Sequence, residues 1–409
     1  PKYFAITSGT TSGAKYIPIT KESLPNHLEG AKDALLMYIA NTGNTKPLNG
    51  KHIFLQGSPV LEEKGEIKTG RLSGISAHHT PLFLRLLRLP SHQTNCIEDW
   101  EKKIDAIVKE TIAQDMRIMS GIPSWLQMYF EKLKEASNKP IGELFPNFQL
   151  LIYGGASYAP YKKKFEKLIG RKIDSVEVYP ASEGFFAFQD QQDSDDLLLI
   201  LNSGIFYEFI KEQDFLESKH NRLSLEEIET GTNYVLIIST SAGLWGYNTG
   251  DTVKFTSTSP YKIVVTGRIK QFLSAFGEHV IVKEVENAIE KTCADTGAII
   301  NEFTVAPKFG DKASGSFHEW FIDFESEPEN IRQFEKTLDK NLQDQNKYYK
   351  DLVQGKVISS LSIERICNKG FNKYMKSIGK LGSQNKIPKI SNDRKIADEL
   401  YRLNVIEER

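Results

Sequence analysis

Apolar runs too short for a helix recur along the first two thirds of the chain, with segments of helical period between them. Ile53-Phe54-Leu55, Arg117-Ile118-Met119, Leu150-Leu151-Ile152-Tyr153, Val176-Glu177-Val178-Tyr179 and Tyr234–Ile238 read as strands. Leu24, Leu28, Ala31, Leu35 and Tyr38 fall at steps of four and three, which sets them on one helix face, with Thr20 positioned as an N-cap. Tyr161, Phe165 and Leu168 repeat the pattern, with Pro160 near a first helical position and Gly170 as a stop. Strands alternating with helices bury their apolar faces as layers, so the expected class is α/β with substantial parallel pairing. The 409 residues leave room for about two to three such domains.

After Gly267 the texture changes. A helix is expected around Val282, Val285 and Ile289, then strands near Glu302–Ala306 and Phe317–Phe324. A longer helix through Ile331, Phe334, Leu338 and Leu342 follows, and a strand near Val357–Ile363. Lys369–Pro388 is basic and poor in periodicity. This reads as a compact α+β unit, with a domain boundary close to Arg268–Lys270: residues 1–268 as one domain, 269–409 as the other.

Charge excludes some partners. The 52 Lys and Arg against 53 Asp and Glu leave a net charge of −1, whereas nucleic acid and anionic membranes call for a basic excess. Cys96, Cys293 and Cys367 lie far apart with no Cys-x-x-Cys pair, against both a zinc ribbon and a disulfide framework. Reduced thiols fit a cytoplasmic location. The longest apolar stretches, such as Leu197–Leu201, are too short to span a bilayer. The opening Pro1-Lys2-Tyr3-Phe4 has neither an initiator Met nor a signal peptide, so the natural protein is expected to begin further upstream.

Five segments carry chemistry. Thr7-Ser8-Gly9-Thr10-Thr11-Ser12-Gly13-Ala14-Lys15 packs five hydroxyls, two glycines and a lysine into nine residues, a composition that wraps phosphate oxygens. It is not a Walker A loop. Three residues separate its glycines, Ala14 parts Gly13 from Lys15, and Tyr16-Ile17-Pro18-Ile19 continues as strand rather than helix. The plainer alternative is a polar hairpin turn. Tyr179-Pro180-Ala181-Ser182-Glu183-Gly184 follows a strand, where open α/β sheets bind ligands; Glu183 suits Mg²⁺ and Tyr179 suits stacking on a base. A solvated turn is the alternative there. Leu244-Trp245-Gly246-Tyr247-Asn248-Thr249-Gly250-Asp251 ends in a carboxylate fit for ribose hydroxyls, or is a Gly-Asp turn. Arg268 after Gly267 is a candidate for nucleotide oxygens or else a surface salt-bridge partner, and Gly382-Ser383-Gln384-Asn385-Lys386-Ile387-Pro388 is a polar loop bearing one lysine.

Taken in order, these segments resemble the adenylate-forming superfamily of acyl-CoA synthetases, peptide-synthetase adenylation domains and firefly luciferase. Within it the chain is most similar to the auxin-responsive (Gretchen Hagen) acyl-acid-amido synthetase family, particularly bacterial members. Thr7–Lys15 resembles the family's phosphate loop, Tyr153-Gly154-Gly155-Ala156 its Gly-Gly turn and Tyr179–Glu183 its Tyr-x-x-Ser-Glu segment. Tyr247–Asp251 resembles the Tyr-x-x-Gly-Asp ribose segment, Gly267-Arg268 the hinge, and Gln384–Pro388 the Gln-x-Lys-x-Pro loop. Two departures limit the carry-over. Plant members have arginines around the ribose motif where this chain has Gly246 and Asn248, and the family's helical segment before the phosphate loop is missing here.

The resemblance implies a large N-terminal domain of layered sheets and helices and a smaller mobile α+β C-terminal lid. It implies ATP and Mg²⁺ as cofactors, and a carboxylic acid and an amine, expected to be an amino acid, as partners. Thr7, Ser8, Gly9, Thr10, Thr11 and Gly13 would wrap the β- and γ-phosphates, with Lys15 as supporting charge. Gly154, Gly155 and Ala156 would flank the adenine and acyl pockets, with Gly121, Ser124 and Ser157 lining the latter. Tyr179 would stack on adenine beside Ser182, Glu183 would hold Mg²⁺, and Asp251 with Arg268 would fix the ribose. Lys386 would stabilise charge between the acyl carboxylate and the α-phosphate. An acyl-CoA ligase shares the first half-reaction. A phosphotransferase using Thr7–Lys15 and a non-catalytic nucleotide-binding protein are the readings of another class.

Overall fold

The computed structural model describes residues 1–6, 15–80, 85–155, 158, 161–269, 272–273, 275–276, 278, 280–310, 315–355, 357–381 and 386–407. The chain divides into two compact units. The first gathers Pro1–Tyr158 and Phe165–Val264; the second gathers Ala159–Lys164, Val265–Leu381 and Lys386–Arg409.

The first unit holds an eleven-stranded sheet whose two halves differ in direction. Arg88–Leu89, Lys51–Phe54, Met116–Gly121, Leu150–Gly154 and Asp174–Pro180 lie side by side and parallel. The sheet then continues through Phe185–Phe188, Leu197–Leu199, Tyr261–Arg268, Tyr247–Thr258, Asn233–Thr240 and Ile205–Lys211. Four of the five strand runs expected from the sequence fall within these strands, and the fifth, Ile53–Leu55, runs one residue past the end of Lys51–Phe54. A second, four-stranded sheet pairs Tyr3–Ile6 antiparallel with Tyr16–Ile19 and parallel with Ile67–Gly70. The hydroxyl-rich segment therefore joins two antiparallel strands, whose last pair before it is Ile6 with Tyr16.

The helix Leu24–Thr42 covers the sheet, but its inward face is offset from the expected one. Leu24, His27, Gly30, Ala34 and Tyr38 are buried, while Ala31 is exposed and Leu28 and Leu35 are only partly covered. Gly30 explains the offset. A methyl group there would stand 2.5 Å from the Phe185 ring, so the absent side chain is what lets helix and sheet close together. Ala34 and Tyr38 then join Ile118, Leu150, Val176, Phe185 and Phe188 in one core. Thr20 is not the N-cap either. Ser23 is, and the two residues exchange side-chain-to-backbone hydrogen bonds of 3.0 and 3.1 Å that fix the entry turn.

At the end of Lys51–Phe54 a lysine is buried. Lys103 is 2% exposed and donates to the carbonyls of Gln56 (3.1 Å) and Asn95 (2.8 Å). Burial pushes its ammonium down to about 8, with the Cys96 side chain opposing. An unfolded lysine titrates near ~10.4, so from about pH 8 to 10 the unfolded chain holds the extra proton and stability rises with pH. In Lys103→Met that rise should flatten by on the order of 2–3 kcal/mol. Denaturant titrations of both proteins at either end of the window give the comparison, and equal slopes would count against this account.

The second unit has a three-stranded sheet in the order Ile299–Lys308, Phe317–Ser326, Ser362–Ile366, the first pair antiparallel and the second parallel. Alternation along the strands supplies both faces. Phe303, Val305, Trp320 and Ile322 pack with helices Val282–Thr296 and Ile331–Gln345 on one side. Ala306, Phe321 and Ile366 pack with helices Gly370–Ser377 and Lys395–Arg402 on the other. Two sequence expectations are corrected here. The last strand begins at Ser362 instead of Val357, with Ile358 and Leu361 reaching the core from the preceding segment. The basic stretch after Lys369 contains the helix Gly370–Ser377, whose two turns bury Phe371, Tyr374 and Met375. Among the described residues no helix is long and apolar enough to cross a membrane.

Candidate functional site

Three consecutive parallel strands end at the residues singled out from the sequence. Gly121 closes Met116–Gly121, Gly154 closes Leu150–Gly154, and Tyr179 stands next to last in Asp174–Pro180. This is the carboxyl edge, where the strands of an open α/β sheet present ligand sites. Ser124 lies half-buried in the first turn of the helix Pro123–Ser137 that follows Gly121. Gly154 is required by close approach: a Cβ there would lie 2.3 Å from the carbonyl oxygen of Val178 on the neighbouring strand. Gly155 continues the turn into solvent, and Tyr158 stacks on Tyr153 with centroids 4.5 Å apart.

Glu183 is carried on a tight hairpin. Ala181 and Gly184 exchange backbone hydrogen bonds of 2.8 and 3.3 Å, which leaves Ser182 and Glu183 as the two-residue tip between Asp174–Pro180 and Phe185–Phe188. Asp251 is presented differently. The expected alternative for its segment, a Gly-Asp turn, is not what forms: Tyr247–Thr258 is one strand with a bulge. Val235 pairs with Thr252 and Ile237 with Asn248, so Thr249, Gly250 and Asp251 stand opposite Leu236 alone. Gly250 takes φ +82°, the left-handed region a side chain disfavours. The Thr249 hydroxyl donates to the Leu236 carbonyl (3.0 Å) and accepts from the Asp251 N–H (3.1 Å), which fixes the bulge and aims the carboxylate.

The two segments are then cross-linked. The Tyr179 hydroxyl donates to Asp251 Oδ2 at 2.6 Å, and the Tyr247 hydroxyl donates to Glu183 Oε1 at 3.3 Å. Each segment thus gives a tyrosine to the other's carboxylate. Lys15 joins them, its Nζ 3.2 Å from the Tyr247 hydroxyl and 5.5 Å from the ring centroid. Burial and the neighbouring Glu183 carboxylate push the Tyr247 phenol up, against the pull of Lys15, so it stays a protonated donor. Tyr179 is buried edge-on against Phe186.

Lys15, Tyr179, Glu183 and Asp251 are therefore brought together, with Ser182 beside Glu183. Thr7, Ser8, Gly9, Thr10, Thr11, Gly13, Ala156 and Ser157 lie outside the described residues. Arg268 and Lys386 belong to the second unit. Arg268 is exposed at the end of Tyr261–Arg268. Lys386 heads a stretch stitched to Ile299–Lys308: the Thr304 hydroxyl donates to the Pro388 carbonyl (2.6 Å), and the Val305 N–H to the Lys389 carbonyl (2.9 Å). Lys389 itself is a structural cation. It pairs with Glu302 and donates to the Tyr161 hydroxyl (3.2 Å); burial opposes its charge, but Glu302 and Tyr161 hold its pKa above the ordinary lysine value. The sequence reading gave Tyr247 no role of its own. The signal was present, because Tyr179/Glu183 and Tyr247/Asp251 share the same four-residue spacing.

A parallel sheet extended by antiparallel strands, with a small unit carrying helices on both sheet faces, is a fold shared with solved acyl-activating enzymes. A solved AtGH3.15 acyl acid amido synthetase in complex with 2,4-DB superposes with a TM-score of 0.80 at 15% identity, covering 100% of this chain and 82% of that chain. A 2-hydroxyisobutyryl-CoA ligase in its postadenylation state gives 0.61 at 13%, covering 98% and 75%. The chain belongs to the GH3 family: its N-terminal domain matches residues 1–173, its central domain 198–268 and its C-terminal domain 283–395. Among curated relatives, jasmonoyl–L-amino acid synthetase JAR4 of Nicotiana attenuata is 25% identical over 252 residues, 58% of this chain and 43% of that protein. The chain spans less than half the length of that relative.

Proposed function

We propose that the protein adenylates a carboxylic acid with ATP and transfers the acyl group to the amine of an amino acid, forming an amide. The observation that carries this reading is the double tyrosine–carboxylate link, which holds Glu183, Asp251 and Lys15 within one patch in a chain of this family. A carboxylate is a poor acyl donor because its leaving group would be an oxide. Its attack on the α-phosphorus of ATP forms an acyl-adenylate and expels pyrophosphate; amine attack on the activated carbonyl then releases AMP. The first step is positioning plus neutralisation of spreading charge.

Asp251 accepts the ribose hydroxyls with Arg268 assisting, Tyr179 lies on the adenine side, and the Thr7–Gly13 loop with Lys15 receives the β- and γ-phosphates. Gly121, Ser124 and the Gly154–Ser157 turn border the acyl group. Glu183 fits Mg²⁺, which takes one or two carboxylates together with phosphate oxygens. When bound, the ion neutralises charge on the departing pyrophosphate. Lys386 brings an ammonium to the acyl carboxylate and α-phosphate, and the segment near Arg268–Lys270 is the hinge about which the 269–409 domain turns between half-reactions.

The test is a pyrophosphate-release screen over aryl, indolyl and fatty acids, each with and without amino acids. Acid-dependent pyrophosphate and AMP, with amide formed when an amino acid is present, is the expected result. ADP as product would overturn it in favour of phosphotransfer, and ATP binding with no turnover in favour of a relic site. The likeness to 2-hydroxyisobutyryl-CoA ligase motivates a parallel arm with CoA, whose consumption would assign the acceptor instead to a thiol. Asp251→Asn should weaken ATP binding by about 10-fold or more, the scale of one hydrogen-bond set to a charged group. Calorimetric titration with ATP reads this directly, and wild-type affinity in the variant would remove Asp251 from the ribose.

A further inference from the structure

We infer that Tyr247 is a positioning residue that sets the distance between Lys15 and Glu183, so that the lysine charge and the carboxylate meet the same Mg²⁺-bound triphosphate. The inference deepens the adenylation reading, on which it depends for taking ATP as the ligand.

The argument begins with the two side chains that need positioning. Lys15 is exposed and carries a flexible four-carbon stem. Glu183 sits with Ser182 at the tip of a two-residue loop closed by the Ala181–Gly184 backbone hydrogen bonds. Tyr247 bonds to both Lys15 and Glu183. Its hydroxyl accepts from Lys15 Nζ (3.2 Å) and donates to Glu183 Oε1 (3.3 Å), a single oxygen serving as acceptor for one and donor to the other. The lysine also lies over the ring, 5.5 Å from its centroid.

The residue that carries this hydroxyl is itself held in two ways. Tyr247 pairs with Ile238 in the strand ladder, immediately before the bulge that aims Asp251. Its ring packs against the core formed by Tyr3, Ala5, Ile17, Ile19, Leu24 and Ile75. Ile17 and Ile19 belong to the strand that Lys15 leads into, so ring and lysine share one support. A phenol anchored this way presents its oxygen at a fixed point, and two charges bonded to one fixed oxygen are kept at one spacing. A merely packing role for Tyr247 would need the ring and not the hydroxyl.

Tyr247→Phe separates the two roles, because it keeps the ring and removes the oxygen. ATP affinity is measured by calorimetry with and without Mg²⁺, on the full chain, alongside its thermal midpoint. In the variant the gain in affinity that Mg²⁺ confers on ATP should shrink by about 10-fold, the scale of one lost hydrogen bond to a charged group. Glu183→Gln removes the carboxylate charge and should abolish most of the same gain. Adding Tyr247→Phe to Glu183→Gln should then change it little, since the two substitutions act through one link. An unaltered Mg²⁺ gain in Tyr247→Phe, or full additivity in the double variant, overturns the inference. A wild-type protein that binds ATP but releases no pyrophosphate with any acid would sink the amide-synthetase reading instead, while the comparison of Mg²⁺ gains still decides the role of Tyr247.

Discussion

Carboxylate-dependent pyrophosphate exchange should fall by about 10²-fold or more when Lys386 is replaced by alanine, the scale on which one preorganised charge-stabilising donor contributes. In the proposed reaction the acyl carboxylate and the α-phosphate are two anionic groups brought into contact, and Lys386 is the cation proposed to meet them. Alanine should not disturb the unit that carries it. Ile387 and Ile390 are buried just beyond, and backbone and hydroxyl hydrogen bonds at Thr304, Val305 and Ser391 hold that stretch to its strand. Aminolysis of a supplied acyl-adenylate should stay near the wild-type rate, because that half-reaction no longer joins two anions. Exchange at the wild-type rate in Lys386→Ala would remove the residue from the adenylation step. Equal loss in both half-reactions would mean the variant had damaged the fold.

Gly154→Ala should be the most damaging single-methyl change at the carboxyl edge of the sheet. The added carbon would stand 2.3 Å from the Val178 carbonyl oxygen and 3.0 Å from Val178 Cγ2. A carbonyl in a strand ladder cannot swing aside as a side-chain tip can, so the two strands must separate. Overpacking of this kind costs about 3 kcal/mol, which for a unit of this size lowers the melting temperature by on the order of 6–12 °C. The displacement also falls beside Tyr179, the residue after Val178, so ATP affinity should drop with stability. Circular dichroism melts and calorimetry test the two together. A variant that melts and binds ATP like the wild type would show that the strands have more room than the geometry allows.

Much of the architecture was legible because layered α/β proteins write their period into the chain. Strand positions followed from runs such as Leu150–Tyr153, and the helices of the second unit from Val282, Val285 and Ile289 or Phe334, Leu338 and Leu342. What escaped was decided by partners distant in sequence. The inward face of Leu24–Thr42 turned on Gly30, which an apolar count ignores and which only the ring of Phe185 makes meaningful. The helix Gly370–Ser377 was hidden by its lysines, since two turns offer too few apolar positions for a period to emerge. The strand expected from Val357 started at Ser362 because Ile358 and Leu361 serve the core without entering the ladder.

The candidate site divides along the same line. Its acids and tyrosines could be named one by one from Tyr-x-x-Ser-Glu and Tyr-x-x-Gly-Asp, since each motif is local. Their crossed pairing could not, because it depends on the three-residue bulge opposite Leu236, which a lone Gly250 in a strand only hints at.

The crossing has an evolutionary side. Tyr179, Glu183, Tyr247 and Asp251 each lean on a neighbour from the opposite stretch of chain, so drift at one position strands its counterpart. A change in one member of the quartet is therefore felt on the other stretch of chain.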